Sequence, residues 1–224
     1  PIETEVIAAE LGGFDANFLM TAFIEGGRIT RDSIHYLLVN GVETPVHTTE
    51  FAQDSVFGYS YSYLPDYVAE KTQGQIPADR VIRFLLDEVR TGSLDRLMQL
   101  ERNRCCVVDG ERQSDFDKFA ADIITAASRG KKFLFRSGAS ILTSLAHLGP
   151  QPTPATEMYQ YVRDGKPGAI IIGSHVKKTT AQLAQLLKTQ GIVGVEIDVS
   201  ELIGEDPTMR ARLLATTIDR ISTI

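Results

Sequence analysis

The sequence predicts an α/β protein built on parallel sheet and divided into two domains. Three observations carry that prediction: short apolar runs spaced along 224 residues, helical periodicities between them, and a proline-rich break at 149–154.

The chain opens with Ile2, Val6, Ile7 and Leu11 at helical spacing before Gly12-Gly13, which predicts a helix over 2–11. Residues 17–22 read as a buried strand that ends in the loop Glu25-Gly26-Gly27-Arg28, and 34–38 as a shorter strand. The turn signal Asn40-Gly41 makes that second strand the start of a hairpin. From 45 to 77 the chain is rich in Tyr, Ser, Asp and Gly, with one short helix over 65–71. An excursion of that length serves as a lid or binding loop, or wraps the surface. Within it Tyr59, Tyr61 and Tyr63 alternate, which favours one face of a strand over a stacking platform.

Residues 105–109 and 132–135 are short apolar strands, and Phe116, Phe119, Ala120, Ile123, Ile124 and Ala127 between them recur at helical spacing. That is a βαβ unit with parallel strands. A helix over 140–148 follows, then Gly149-Pro150-Gln151-Pro152-Thr153-Pro154, whose prolines forbid a continued helix. Beyond it the pattern restarts: a buried strand at 168–173, a helix at 179–189, a strand at 193–197 and a helix at 207–221. The reading divides the chain into a domain over 1–149, a linker over 150–156 and a second domain over 157–224. Two strands and two helices do not cover both faces of a parallel sheet, so the second piece reads as the beginning of a domain.

Composition narrows the function classes. With 43% hydrophobic and 23% charged residues the chain has the material for a core. A net charge of -6 argues against a nucleic-acid or anionic-membrane surface. The adjacent Cys105 and Cys106 point to opposite faces of a strand and cannot form an ordinary disulfide, which fits a reducing cytoplasm. No apolar run reaches the length of a membrane span. Pro1 stands where an initiator Met is expected, so the terminus is processed or the frame is longer.

Three loops hold chemistry-bearing residues. Gly27-Arg28-Ile29-Thr30 follows a strand's carboxyl end, where open α/β sheets put their ligands, and offers a guanidinium and a hydroxyl to an anion; a tight turn with a surface arginine is the plain alternative. Arg136-Ser137-Gly138-Ala139-Ser140 runs from a strand into a helix, where Ser137 or Ser140 either caps the helix or helps to dock a carboxylate or phosphate. Gly173-Ser174-His175-Val176-Lys177-Lys178-Thr179-Thr180 starts a helix with two lysines, an unfavourable placement unless an anion is near, yet it lacks the ending of a P-loop. The four histidines His35, His47, His147 and His175 show no metal-ligand spacing, and His35, inside a strand, reads as structural. Asp109 at a strand end holds an ion or hydroxyl, or caps a turn.

In order, these pieces resemble the four-carbon acid sugar kinases, bacterial two-domain enzymes that phosphorylate tetronates or 3-oxo-tetronates with ATP. The markers are Phe14-Asp15-Ala16, Ala22-Phe23-Ile24-Glu25-Gly26-Gly27-Arg28, Asp32-Ser33-Ile34-His35-Tyr36, Thr49-Glu50-Phe51-Ala52-Gln53-Asp54, Phe133-Leu134-Phe135-Arg136-Ser137 and Gly173-Ser174-His175-Val176 with Thr179-Thr180-Ala181-Gln182-Leu183. Members often carry Pro in place of Ile24 and Gly in place of Ser33. The family's Ala-Asp-Asp-Leu-Thr-Gly, Lys-x-Asp-Ser-Thr-Leu-Arg-Gly and Gly-Gly-Glu-Thr motifs do not occur here.

The resemblance implies a kinase-like architecture with both domains incomplete, a sugar acid held by Gly27, Arg28, Arg136 and Ser137, and ATP held by Gly173, Ser174, His175 and Thr179. It implies Mg²⁺ with the ATP. The missing motifs predict little turnover by this chain alone, and the raw edges of an incomplete sheet predict self-association or a complementing chain. The competing reading is a non-catalytic binding module on the same scaffold.

Overall fold

A computed structural model describes residues 2–39, 41–54, 57–149, 153–161, 164, 166–174, 176–203 and 206–223. The chain divides into two compact units, Pro1–Pro154 and Ala155–Ile224.

The first unit opens with helix α1 (Ile2–Leu11) and strand β1 (Ala16–Met20), as the periodicities predict. An antiparallel sheet follows: β2 (Arg28–Arg31), β3 (Ile34–Val39) and β4 (Val42–Pro45). β2 escaped the sequence reading because it is four residues long and follows a glycine loop directly. The β3–β4 hairpin pairs Val39 with Val42 across the expected turn, of which Asn40 lies outside the described residues. Next come helix α2 (Leu64–Lys71), strand β5 (Ile82–Phe84), and the short helices α3 (Leu86–Thr91) and α4 (Leu94–Gln99). The βαβ unit is β6 (Arg104–Val108), α5 (Gln113–Ser128) and β7 (Phe133–Ser137), and α6 (Ala139–Leu145) follows. The tyrosine alternation at 59–63 does not form a named strand: Tyr63 bridges Ile34 singly, and the chain around it is irregular.

β5, β6, β1 and β7 form one parallel sheet in that order, an α/β architecture, and β1 lies inside it with Phe18 opposite both Cys106 and Phe135. Phe18 is wholly buried and its ring meets those of Phe84, Phe119, Phe133 and Phe135 at centroid distances of 5.4–5.9 Å. The side chains alternate across the sheet as strand geometry requires: Cys106 joins the Phe18 cluster, whereas Cys105 joins Leu19, Leu64, Val68 and Val107 on the other face. Both thiols are free, and burial raises both pKa values, that of Cys105 to about 11.

Paired backbone bonds tie the two sheets together, Thr30 N–H to Gly110 O at 2.9 Å and Gly110 N–H to Thr30 O at 2.8 Å. Asp109 Oδ1 accepts from Ser33 N–H at 2.8 Å and so holds the β2–β3 turn, where Asp32 and Ser33 have φ of 52° and 65°. Positive φ of this kind is the region glycine adopts without steric cost, so a glycine at position 33 would sit there unstrained. Asp109 therefore fixes a turn 76 residues away in sequence rather than the one that follows it.

In the second unit, α7 (Lys177–Leu186) begins two residues before the expected 179, and α8 (Val199–Ile203) and α9 (Pro207–Ser222) follow. The Asp206 carboxylate caps α9 by accepting from Thr208 N–H at 2.8 Å. The two strands expected at 168–173 and 193–197 are not formed: both segments run without ladder bonds, and Ile171 is 97% exposed. An apolar run becomes a strand only when it finds neighbours to pair with and a layer to cover it, and these two runs pair with nothing among the described residues. Among the described residues of the chain, no helix is long and apolar enough to cross a membrane.

Candidate functional site

A pocket of about 320 Å³ opens at the carboxyl ends of β1 and β7. β7 delivers Arg136 and Ser137 to it, β1 delivers Leu19 and then Thr21, and β2 and β3 bring Arg28 and His35 from the antiparallel sheet. The long excursion closes one side with Val46, Phe51, Tyr59 and, from α2, Tyr67.

Backbone geometry sets these positions. Phe23 and Arg28 exchange two 2.9 Å backbone bonds, so the chain turns tightly through Gly26 and Gly27; Gly27 has φ of 67° and lies just behind Arg28 rather than on the pocket wall. Gly138 donates to Met20 O at 2.7 Å, and a Cβ there would sit 2.6 Å from the Ala22 carbonyl oxygen. Only glycine lets β7 leave the sheet so close to the end of β1. Neither Ser137 nor Ser140 caps α6: its N-cap is Gly138, and Ser140 Oγ accepts from Ile24 N–H at 2.9 Å. A proline at position 24 would lack that donor.

The pocket is cationic. Arg28 lies over the Phe51 ring at 5.2 Å, and among the described residues neither Arg28 nor Arg136 has a carboxylate partner. Other arginines of this unit are committed: Arg31 pairs with Glu43 and Glu111, and Arg90 with Glu111 and Asp115. None of the described lining residues is acidic. Two guanidiniums facing one hollow without counter-charge attract an anion, and their planar forks suit a carboxylate.

His35 is the lining residue that sequence reasoning passed over as merely structural. It is 8% exposed, and its Nδ1 lies 3.1 Å from Ile29 O and 3.2 Å from Thr30 Oγ1, which in turn is 3.3 Å from Thr21 Oγ1. Burial lowers its pKa to about 4, with the nearby Arg28 charge acting in the same direction. Tyr59 and Tyr67 meet edge to face at 5.6 Å, and burial raises the Tyr59 pKa. The signal for His35 was its place opposite Thr30 in a β2–β3 register that cannot be seen until β2 is recognised.

Three of the four residues assigned to the acid, Arg28, Arg136 and Ser137, thus line one pocket, with Gly27 adjacent. A second hollow of about 380 Å³, near Arg80 and Arg104, sits at the opposite, amino-terminal end of β6, away from the strand ends that bear these groups.

The nucleotide residues lie in the second unit. Gly173 and Ser174 are in exposed extended chain, Ser174 Oγ accepts from Val176 N–H at 3.3 Å, Thr179 is in the first turn of α7, and His175 lies outside the described residues. Among the described residues no three His, Cys, Asp or Glu side chains converge as for a metal. For a nucleotide the described residues here offer the hydroxyls of Ser174 and Thr179, ahead of and in the first turn of α7.

A family model described as a sugar-binding N-terminal domain matches residues 1–145. The chain belongs to the four-carbon acid sugar kinase family. In this family member a second model, a nucleotide-binding C-terminal domain, matches residues 169–224. No curated protein matches it. Among solved structures, a Haemophilus influenzae protein is 14% identical over 64% of this chain and 32% of its own, with a TM-score of 0.48. A Bordetella bronchiseptica domain of unknown function, a domain-swapped dimer with bound citrate, is 23% identical over 63% of this chain and 32% of its own, with a TM-score of 0.45. A second crystal form of that domain covers 95% of this chain and 46% of its own at 20% identity and a TM-score of 0.45. This family member therefore spans between 32% and 46% of the length of these structures.

Proposed function

We propose that the first unit binds a four-carbon sugar acid, a tetronate or 3-oxo-tetronate, in the pocket at the ends of β1 and β7, as the acceptor for phosphoryl transfer by the whole protein. The observation that carries this reading is the meeting of Arg28 and Arg136, drawn from strands more than a hundred residues apart in sequence, over one pocket with Ser137 and no acidic wall. The size fits: about 320 Å³ lies at the lower end of small-molecule sites. The guanidiniums would take the carboxylate, and the hydroxyls and ring nitrogen of the walls the polyol.

ATP as donor and Mg²⁺ as its companion belong to the same proposal, supported by the match of residues 169–224 to a nucleotide-binding model. Bound, they would supply the phosphoryl group and neutralise its developing charge. The chain's own part is to hold the acid and orient its hydroxyls; Ser174 and Thr179 are the hydroxyls proposed to face the nucleotide.

Calorimetric titration with erythronate, threonate and their 3-oxo forms tests the reading. Saturable binding of at least one acid, abolished in the Arg28→Ala/Arg136→Ala double variant, is expected. Binding that survives the double variant, or no binding at all, overturns it. With ATP and Mg²⁺ added, ADP release by this chain alone is expected at background.

A further inference from the structure

We infer that His35 reads a hydroxyl of the bound acid: through Nε2 it accepts a hydrogen bond from the ligand, so the pocket prefers a hydroxy acid to an acid of equal charge that lacks that hydroxyl. The inference rests on the proposal that this pocket holds a sugar acid.

The tautomer follows from the partners of the ring. Nδ1 lies 3.1 Å from the Ile29 carbonyl oxygen, a group that only accepts, so Nδ1 carries the proton. In a neutral imidazole Nε2 then bears a lone pair and is an acceptor. Among the described residues nothing is bonded to Nε2, and it is not among the buried atoms left without a partner, so the small exposed part of the ring serves it where His35 lines the pocket. Turning the ring over would give up the Nδ1–H bond to the Ile29 carbonyl oxygen.

The rest of the wall makes an acceptor valuable. Arg28 and Arg136 only donate, and the Thr21, Ser137, Tyr59 and Tyr67 hydroxyls both donate and accept, so an unprotonated Nε2 is the side-chain group there that offers a lone pair without a competing proton. A polyol acid brings hydroxyl donors into this space as well as a carboxylate, and each buried donor needs a lone pair to point at. Protonation of His35 would add a third cation near Arg28 in a buried setting; its pKa of about 4 keeps the acceptor in place at neutral pH. A site built for a bare dianion would gain from a charged imidazole, whereas a neutral one favours a ligand that pairs its carboxylate with hydroxyls.

The test is a competition titration of the full chain with a tetronate against its 2-deoxy and 3-deoxy analogues. The parent should prefer the tetronate to one deoxy acid by about three- to tenfold. In His35→Phe that ratio should fall to near one, and His35→Gln, which keeps an acceptor, should restore part of it. In the parent protein the ¹⁵N resonance of His35 Nε2 should move toward that of a hydrogen-bonded, unprotonated nitrogen with the tetronate and stay put with the discriminated deoxy acid. This readout does not depend on a folded variant. Acids that bind through Arg28 and Arg136 without discrimination, discrimination that persists in His35→Phe, or an Nε2 resonance indifferent to the tetronate overturn the inference alone. A parent that binds none of the acids overturns the pocket assignment beneath it.

Discussion

Residues 16–137 and residues 168–197 share one pattern, short apolar runs separated by amphipathic helices, yet only the first stretch builds a sheet. In the first, β1 has β6 on one side and β7 on the other, and α5 packs its apolar stripe over the same face, so Phe18, Phe116 and Phe119 are wholly buried. In the second, the apolar run that contains Ile170 and Ile171 pairs with nothing among the described residues, and both side chains are exposed. Apolar content is therefore not what distinguishes a strand from an extended segment. The number of partners that can satisfy its backbone and cover its faces is.

The contrast is broken most directly at its two extremes. Phe18→Ala should cost about 3–5 kcal/mol in denaturant unfolding, because it opens a cavity among four aromatic rings. Ile171→Ala, at 97% exposure, should stay within about 0.5 kcal/mol. Equal costs would mean that the second segment is packed as a strand after all. Amide exchange gives the same comparison without mutation: the amides of β1 should be protected and those at 168–173 should exchange fast.

A smaller effect sharpens the claim that the first unit presents a built pocket. Arg136→Ala or Arg28→Ala should each weaken tetronate binding by about 1.5–3 kcal/mol, the worth of a hydrogen bond to a charged group. Arg31→Ala, on the same hairpin but committed to Glu43 and Glu111, should leave affinity within about twofold. Calorimetry on the three variants separates an organised anion site from general positive charge.

Smaller still is the pH response of two buried groups in this unit. His35 takes a proton only near 4 when folded, against 6.5 for an ordinary histidine, so acidification from about 6.5 toward 4 removes stability. Asp109 opposes it. Its Oδ2 is buried without a partner among the described residues, and burial holds the carboxyl protonated up to about 6 rather than 3.8, so stability rises as pH falls from about 6 toward 4. In the parent the two offset each other. Relative to the parent, Asp109→Asn should lose stability on going from pH 6.5 to 4.5 and His35→Phe should gain it, each by on the order of 2 kcal/mol. Melts at the two pH values that shift in parallel for all three proteins would refute both assignments. The lowered carboxyls of Asp115 and Glu111 contribute equally to each protein and cancel in the comparison.

The smallest expected effect belongs to the second unit. Asp206→Ala removes the cap of α9 and should cost about 1 kcal/mol, visible as reduced helicity by circular dichroism, while the unfolding of the first unit stays where it was.

Much of the pocket could be found from the sequence because strand ends are local. Phe133-Leu134-Phe135 announces a strand, so Arg136 and Ser137 must leave from its tip, and Gly26-Gly27 announces the turn that delivers Arg28. His35, Thr21, Phe51 and Tyr59 were not legible as pocket residues, since nothing near them in sequence states which strand they face. Asp109 shows the same limit: its partner, the N–H of Ser33, is 76 residues away.

By itself the amino-acid sequence determined where the βαβ unit lies, which residues stand at its strand tips, and the family through its ordered motifs, because helical period, strand alternation and turn chemistry are written over a few consecutive residues. Tertiary structure alone decided that Arg28 and Arg136 share one hollow, that His35 lines it too, and that 168–173 stays unpaired. Those outcomes depend on backbone partners and burial supplied from distant parts of the chain, and no local pattern encodes them.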